Sequence, residues 1–167
     1  MGGKASMMAT LTLPDLIRKL IVADIAPVTY SHTQMMYIDA MRGIDLSNLE
    51  RRSQAEAALR AVIDDPILPS FFTQSLDLKA KRWKLNLDTL AQEMQAILSF
   101  PEVTGHFTGP TLFLTGATSS YVLPEHRERI KALFPKAKFA KIPGAGHWLH
   151  AEKPAEFEAA VRHFLAA

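Results

Sequence analysis

The chain has 167 residues, which is the size of one domain and enough to bury a sizeable core. Hydrophobic residues make up 48%, charged residues 22%, and the net charge of +2 comes from scattered basic residues, so composition argues against a nucleic-acid or membrane partner. With no cysteine, disulfides, thiolate catalysis and Cys-ligated zinc are excluded, and the apolar runs are too short to cross a bilayer.

The first 28 residues predict a short helix followed by a buried strand. The opening segment MGGKASMMATL has the small and apolar residues of a helix interior and lacks the pattern of a signal peptide, so we expect a cytoplasmic protein. After a break at LPD, residues 20–23 form a continuous apolar run that ends at Asp24. Such a run favours a parallel strand that is buried on both faces.

Residues 29–105 predict a helical insertion. Ser53 is a candidate cap for a helix over SQAEAALRAVI, and LPSFFTQSL suggests a second, short helix. NLDTLAQEMQAILSF has a continuous apolar stripe and predicts one long helix, while Trp83 marks a candidate strand. The region therefore interrupts a pattern of strands and helices.

That pattern resumes at residue 106. GPTLFLTG predicts a buried strand over residues 111–115, PEHRERIKALF a helix, and KFAKIPGAGH a third strand that leads into a histidine loop. Pro154 begins a last helix whose apolar residues repeat at helical spacing: Phe157, Val161, Phe164 and Leu165. Alternating strands and helices imply a parallel sheet, so the fold class is α/β with a helical insertion.

Three polar residues follow the ends of the three predicted strands: Asp24, Ser119 and His147. Because the carboxyl ends of parallel strands meet at one edge of a sheet, we expect Asp24 within hydrogen-bond reach of His147 and Ser119 near both. A histidine that moves protons, a carboxylate that orients it and a hydroxyl are components of acyl-transfer catalysis. Each residue alone has a structural alternative: a loop cap, a turn residue and a loop histidine.

The segments GPTLFLTGATSSYV and IPGAGHWLHAEKPAEFEAAVRHFL resemble the C-terminal part of an α/β-hydrolase, and VADIAP and RWKLNLDTL resemble a small serine esterase branch. The resemblance implies a partial α/β-hydrolase fold, with parallel strands six to eight, flanking helices and a helical lid. Residues 1–28 would belong to the hydrolase core, residues 29–105 to the lid, and residues 106–167 to the core again.

The resemblance also implies where the nucleophile lies. The elbow G-x-S-x-G commonly reads G-H-S-M-G-G-K in this branch, and the chain begins MGGKAS. Met1 would then follow a nucleophilic serine that is absent from the chain, which would be inactive alone. The backbone N–H at Met1 would belong to the oxyanion hole.

For the triad acid, the resemblance favours Asp24. Many α/β-hydrolases carry the acid after strand seven as G-x-x-D, but here GATSS has Ser119 at that position. Acids after strand six occur in the similar esterases, and Asp24 would hold the tautomer in which His147 faces the serine. Ser119 is either an auxiliary member of the pair or a loop hydroxyl that bonds its own backbone.

Apolar residues of the insertion and one beside the histidine are candidates for substrate binding: Met35, Tyr37, Phe72 and Trp148. The alternative is that the first three form the core of the lid and that Trp148 anchors its loop.

We expect a serine esterase acting on small carboxylic esters or thioesters, with no cofactor, no metal and no nucleic-acid or membrane partner. One alternative is a dehalogenase or epoxide hydrolase with an aspartate nucleophile, although MGGK favours serine. The other is a non-catalytic fragment or binding module. Without a fifth strand beside it, the strand at residues 20–24 would be an edge, which predicts self-association.

Overall fold

The computed structural model describes all of residues 1–167, which form two compact units. The first, called the sheet unit, comprises residues 1–29 and 99–167, and the second, called the helical unit, comprises residues 30–98. In chain order the elements are α1 (Gly2–Thr12), a 3₁₀ turn (Pro14–Leu16), β1 (Leu20–Ala23), α2 (Met35–Arg42), α3 (Arg52–Arg60), α4 (Leu68–Thr73), β2 (Leu76–Asp77), β3 (Arg82–Trp83), α5 (Leu87–Gln92), α6 (Met94–Leu98), β4 (Thr111–Gly116), α7 (His126–Leu133), β5 (Ala137–Ile142), α8 (Leu149–Glu152) and α9 (Pro154–Ala166).

The sheet unit contains three parallel strands in the order β1-β4-β5. Thr111 at the start of β4 lies opposite Leu20 of β1 and Ala137 of β5, so the three strands begin in step and their carboxyl ends share one edge. The α/β fold class with a parallel sheet is therefore confirmed. β1 and β5 are the outer strands, and self-association along β1 stays a prediction.

The central strand explains why the apolar runs are continuous. All six residues of β4 are buried. Leu112 and Leu114 face one side of the sheet, where they join a core that includes Phe164 of α9. Phe113 faces the other side, where its ring lies 5.9 Å from that of Phe134 and 5.8 Å from that of Phe139. A strand covered on both faces needs apolar residues at every position.

The last helix begins at Pro154 as expected, but its buried face is narrower than the sequence predicts. Phe164 is buried, and Phe157 and Val161 pack against the same core. Leu165, which belongs to the same apolar spacing, is 54% exposed. One residue turns a helix by about 100°, which takes Leu165 away from the face that Phe164 occupies.

The helical unit has a core of its own. The buried members of this core are Ile38, Met41, Leu59, Ile63, Leu87, Met94 and Leu98. The strand expected near Trp83 is present as β3, which pairs antiparallel with β2. The indole Nε1–H of Trp83 donates a hydrogen bond to the carbonyl of Met41 at 2.9 Å, which fixes the hairpin to α2.

Two helix predictions in this unit are wrong in detail. Ser53 lies inside α3, whose N-cap is Arg51, and the side chain of Gln54 accepts the N–H of Arg51 at 2.9 Å. The predicted long helix is two helices, α5 and α6, which are separated at Glu93. Asn86 caps the first of them by accepting a hydrogen bond from a backbone N–H in the first turn.

The longest helix, α9, has 13 residues. None of the helices combines the length and the apolar character needed to cross a membrane.

Candidate active site

Asp24 lies directly after β1, at the carboxyl edge of the sheet. Its side chain is fully buried, and its N–H donates to the carbonyl of Leu114 at 2.9 Å, so the strand pairing continues through it. Its φ of 48° is in the left-handed region, which Asp tolerates better than most residues. Backbone conformations of this kind cluster at functional sites.

The buried carboxylate of Asp24 has three hydrogen-bond donors. Oδ2 accepts from the hydroxyl of Ser119 at 2.5 Å and lies 2.8 Å from Nδ1 of His147, while Oδ1 accepts from the N–H of Gly116 at 3.2 Å. A charge taken out of water is tolerated only when it is hydrogen-bonded or paired. The structure therefore brings Asp24, Ser119 and His147 together at one edge of the sheet.

His147 connects this buried acid to the surface. Its side chain is 40% exposed, whereas that of Asp24 is 0% exposed. A carboxylate accepts hydrogen bonds, so Nδ1 of the neutral imidazole carries the proton that faces Asp24. Nε2 is then left with a lone pair, and the ring can accept a proton there while the carboxylate stabilises the resulting imidazolium.

The ring of Tyr121 stacks on the imidazole of His147, with centroids 3.8 Å apart and planes inclined by 16°. The N–H of Tyr121 donates to the hydroxyl oxygen of Ser119 at 3.2 Å. Ser119 thus bonds both the acid and its own loop, and its role as an auxiliary member of the pair stays a prediction. Tyr121 was not predicted from the sequence. The only feature that pointed to it is its aromatic ring two positions after Ser119.

The histidine loop lies close against the end of β4. A Cβ added at Gly116 would lie 2.0 Å from the carbonyl oxygen of Gly146, so no side chain fits there. The carbonyl of Ala145 accepts from the N–H of Thr118 at 3.0 Å and from its hydroxyl at 2.9 Å. Gly144 turns the loop with a φ of +69°, which favours glycine.

Met1, the predicted oxyanion-hole residue, lies at the start of α1. Met1 is the N-cap residue of α1 and is 70% exposed, and its carbonyl accepts from the N–H of Ala5 at 3.0 Å. Gly3 packs α1 closely, since a Cβ there would lie 2.3 Å from the side chain of Ile25. The role of Met1 in an oxyanion hole stays a prediction.

Met35, Tyr37 and Phe72 are half-buried against the core of the helical unit, and the rings of Tyr37 and Phe72 lie 5.5 Å apart. Trp148 is half-buried beside His147 in the sheet unit. Substrate binding by these four residues stays a prediction.

A parallel sheet with an acid and a histidine at its carboxyl edge matches the arrangement of these two residues in α/β-hydrolases. A family model described as "Alpha/beta hydrolase family" matches residues 1–160. The chain therefore belongs to the α/β-hydrolase family, and the esterase resemblance seen in the sequence is confirmed.

The chain is similar to several esterases and lipases. It is 39% identical to the sn-1-specific diacylglycerol lipase ABHD11 of Mus musculus and 34% identical to Esterase YbfF of Escherichia coli strain K12, with 99% of the chain aligned to each. A marine microorganism esterase of known structure superposes over 97% of the chain with a TM-score of 0.91 and 37% identity. The chain spans 57%, 64% and 66% of these three proteins.

Proposed function

We propose that the chain carries the acid and the base of a Ser-His-Asp triad in an esterase that cleaves small carboxylic esters or thioesters. The observation that carries the proposal is the 2.8 Å contact between Nδ1 of His147 and the buried carboxylate of Asp24. Ser119 supports the pair as an auxiliary member because its hydroxyl donates to the same carboxylate oxygen.

In this mechanism His147 is the general base and then the general acid. Nε2 removes the proton of a nucleophilic serine as the serine attacks the ester carbonyl, and the same proton is transferred to the leaving alcohol or thiol. Asp24 keeps Nδ1 protonated and stabilises the imidazolium. The acyl group is then bonded to the serine, and water deprotonated by Nε2 attacks this ester, which breaks its bond to the serine oxygen, releases the carboxylic acid and returns the proton to the serine.

We propose that the nucleophilic serine is not among the 167 residues. Ser119 is engaged with the acid rather than with Nε2, and Ser6 lies inside α1, where its carbonyl accepts from the hydroxyl of Thr10. Neither serine is on a strand-to-helix elbow, where a nucleophile of this family is activated, and no G-x-S-x-G sequence occurs among the 167 residues. The chain alone is then inactive, and the backbone N–H at Met1 is the proposed donor to the oxyanion.

The names of the relatives support an ester substrate. The mouse relative is described as a diacylglycerol lipase, and the bacterial and marine relatives as esterases. We therefore propose carboxylic ester hydrolysis, with diacylglycerol and short aryl esters as the first substrates to compare. Met35, Tyr37, Phe72 and Trp148 are the proposed contacts of the acyl group.

Ester hydrolysis tests the proposal in two proteins. One is the chain alone, and the other, called the joined protein, is the chain fused behind the part of the marine esterase that it does not match. We expect hydrolysis of p-nitrophenyl acetate by the joined protein and none above background by the chain. Asp24→Asn should lower kcat of the joined protein on the order of 10⁴-fold, since it favours the wrong tautomer. His147→Ala should lower kcat at least as far.

Other outcomes point to the alternatives. Hydrolysis by the chain alone that His147→Ala abolishes would mean that another nucleophile is present. A folded joined protein that lacks hydrolysis would favour a binding module. His150→Ala is the matched control, because His150 is the exposed histidine of α8, and it should leave kcat unchanged.

A further inference from the structure

One carboxylate binds the backbone on both sides of His147. Oε2 of Glu152 accepts a hydrogen bond from the N–H of Gly146 at 2.8 Å, and Oε1 accepts from the N–H of Trp148 at 3.1 Å. Hydrogen bonds to a carboxylate are stronger than those between neutral groups. The same side chain therefore holds the Ala145–Gly146 and His147–Trp148 peptide units.

The rest of the histidine loop is anchored farther from the ring. Before the ring, the carbonyl of Ala145 is bonded to Thr118, and after it Leu149 is buried in the core of the sheet unit. The carboxylate of Glu152 binds two amides of the segment between these two anchors. It thereby restrains the backbone from which the exposed imidazole of His147 projects.

We propose that Glu152 is a positioning residue for His147. By fixing the amides of Gly146 and Trp148, it keeps Nδ1 of the ring on Asp24 and directs Nε2 toward the substrate. This inference rests on the proposed function, in which His147 is the general base. Glu152 acts through His147 and does not touch the reacting atoms. Small displacements matter in such a site, because a shift of about 1 Å can lower a rate on the order of 10²-fold.

Because Glu152 is exposed, its replacement can change the position of His147 without unfolding the chain. Glu152 lies on the surface, so water can reach the two amides when the carboxylate is removed, and the fold should survive Glu152→Ala. Gly146 offers a second perturbation. A Cβ at that position would lie 3.2 Å from Oε1 and 3.4 Å from Oε2 of Glu152, so Gly146→Ala crowds the carboxylate without removing its charge.

Nitrogen-15 NMR of the histidine rings in the 167-residue chain tests the inference without catalysis. We expect the Nδ1 proton of His147 to be protected from exchange with water, to lose that protection in Glu152→Ala and to keep part of it in Glu152→Gln, which retains one acceptor oxygen. Gly146→Ala should weaken it too. Glu158→Gln is the matched control, since Glu158 bonds Arg162 on α9. Undiminished protection in Glu152→Ala, in a chain with an unchanged melting temperature, would overturn the inference.

Kinetics of the joined protein gives an independent reading. We expect Glu152→Ala to lower kcat about 10- to 100-fold with KM within about two-fold, and Glu152→Gln to recover part of the loss. If hydrolysis depends on His147 but Glu152→Ala keeps the wild-type kcat, the positioning role is wrong and the proposed function stands. If hydrolysis does not depend on His147, the proposed function fails, and the ring signal decides whether Glu152 orders the imidazole.

Discussion

The sheet unit and the helical unit differ in the polar groups that they bury. Of six buried polar or charged residues, five lie in the sheet unit, and Thr73 is the one in the helical unit. The two that carry charge, Lys4 and Asp24, both belong to the sheet unit. The helical unit keeps its ion pairs at its surface, as between Arg60 and Glu56. Its stability therefore depends on apolar burial, while the sheet unit must also satisfy buried charge.

The two units also differ in how far apart bonded residues are in the sequence. The three donors to Asp24 come from residues 92, 95 and 123 positions away. In the helical unit many side-chain bonds are local, such as those of Asp45 with Ser47 and of Asp65 with Leu68, two and three positions apart. The candidate site thus exists only when the whole sheet unit is folded.

The largest effect should come from the core of the sheet unit. Phe113→Ala removes a fully buried ring that packs against Phe134 and Phe139, and we expect it to lower the free energy of unfolding by about 3–5 kcal/mol. Urea denaturation measures the change in the free energy of unfolding, and amide exchange in β4 shows whether the sheet is affected. Phe71→Ala is the control, because Phe71 is 50% exposed and should cost less than about 1 kcal/mol. Equal costs for the two variants would contradict the prediction.

A smaller loss is expected in the core of the helical unit. Leu59 is fully buried on α3, so Leu59→Ala should lower the free energy of unfolding by about 2–4 kcal/mol and speed amide exchange in α3. Val62, three residues further on, is 62% exposed, and Val62→Ala should have little effect. If Leu59→Ala speeds exchange in β4 as much as in α3, the two units unfold together rather than separately.

The histidine loop lies close to β4, so Gly116→Ala should lower the free energy of unfolding by about 1–3 kcal/mol, because the new methyl group would overlap the carbonyl of Gly146. The loop must then move, and the hydrogen bond between His147 and Asp24 should weaken, which the ring signal of His147 reports. Gly2→Ala is the matched control in α1, where a Cβ meets nothing within 4 Å. A Gly116→Ala variant as stable as Gly2→Ala, with an intact ring signal, would mean that the loop relaxes freely.

The sequence predicts the sheet unit well because its strands are continuous apolar runs. The predicted strand at residues 20–23 coincides with β1, and the one at residues 111–115 with β4 to within one residue. The proximity of Asp24 and His147 follows from a general property of parallel sheets, since strand ends share an edge. No such rule fixes the direction of a loop side chain, so the stacking of Tyr121 was not predicted.

In the helical unit the same reasoning fails at α5 and α6 for a physical reason. Leu87, Met94 and Leu98 are buried as their helical spacing predicts, but the backbone breaks between them at Glu93, where φ is −91° and ψ is 7°. Two short helices that follow each other along one core keep the same apolar spacing as a single long helix. Periodicity therefore identifies the buried face and does not reveal the break.

The smallest expected effect is a dependence of stability on pH that comes from Lys4, the buried cation of the sheet unit. Lys4 is 8% exposed, and its ammonium donates to the carbonyl of Ser99 at 2.8 Å. Burial lowers the pKa of Lys4 from its usual 10.5, because desolvation disfavours the charged form. Between the lowered pKa and 10.5 the unfolded chain binds more protons than the folded one, so stability should rise with pH in that window.

The comparison with Lys4→Met isolates this contribution, because Met fills similar space without a charge and the other titrations cancel in the difference. We expect the wild-type chain to gain stability relative to Lys4→Met as the pH rises from neutral toward 10.5. Urea unfolding of both chains at a series of pH values measures the difference. A difference that does not change with pH would mean that the bond to Ser99 offsets the whole desolvation cost. Of the two buried charges of the sheet unit, only Asp24 could then lower its stability through desolvation.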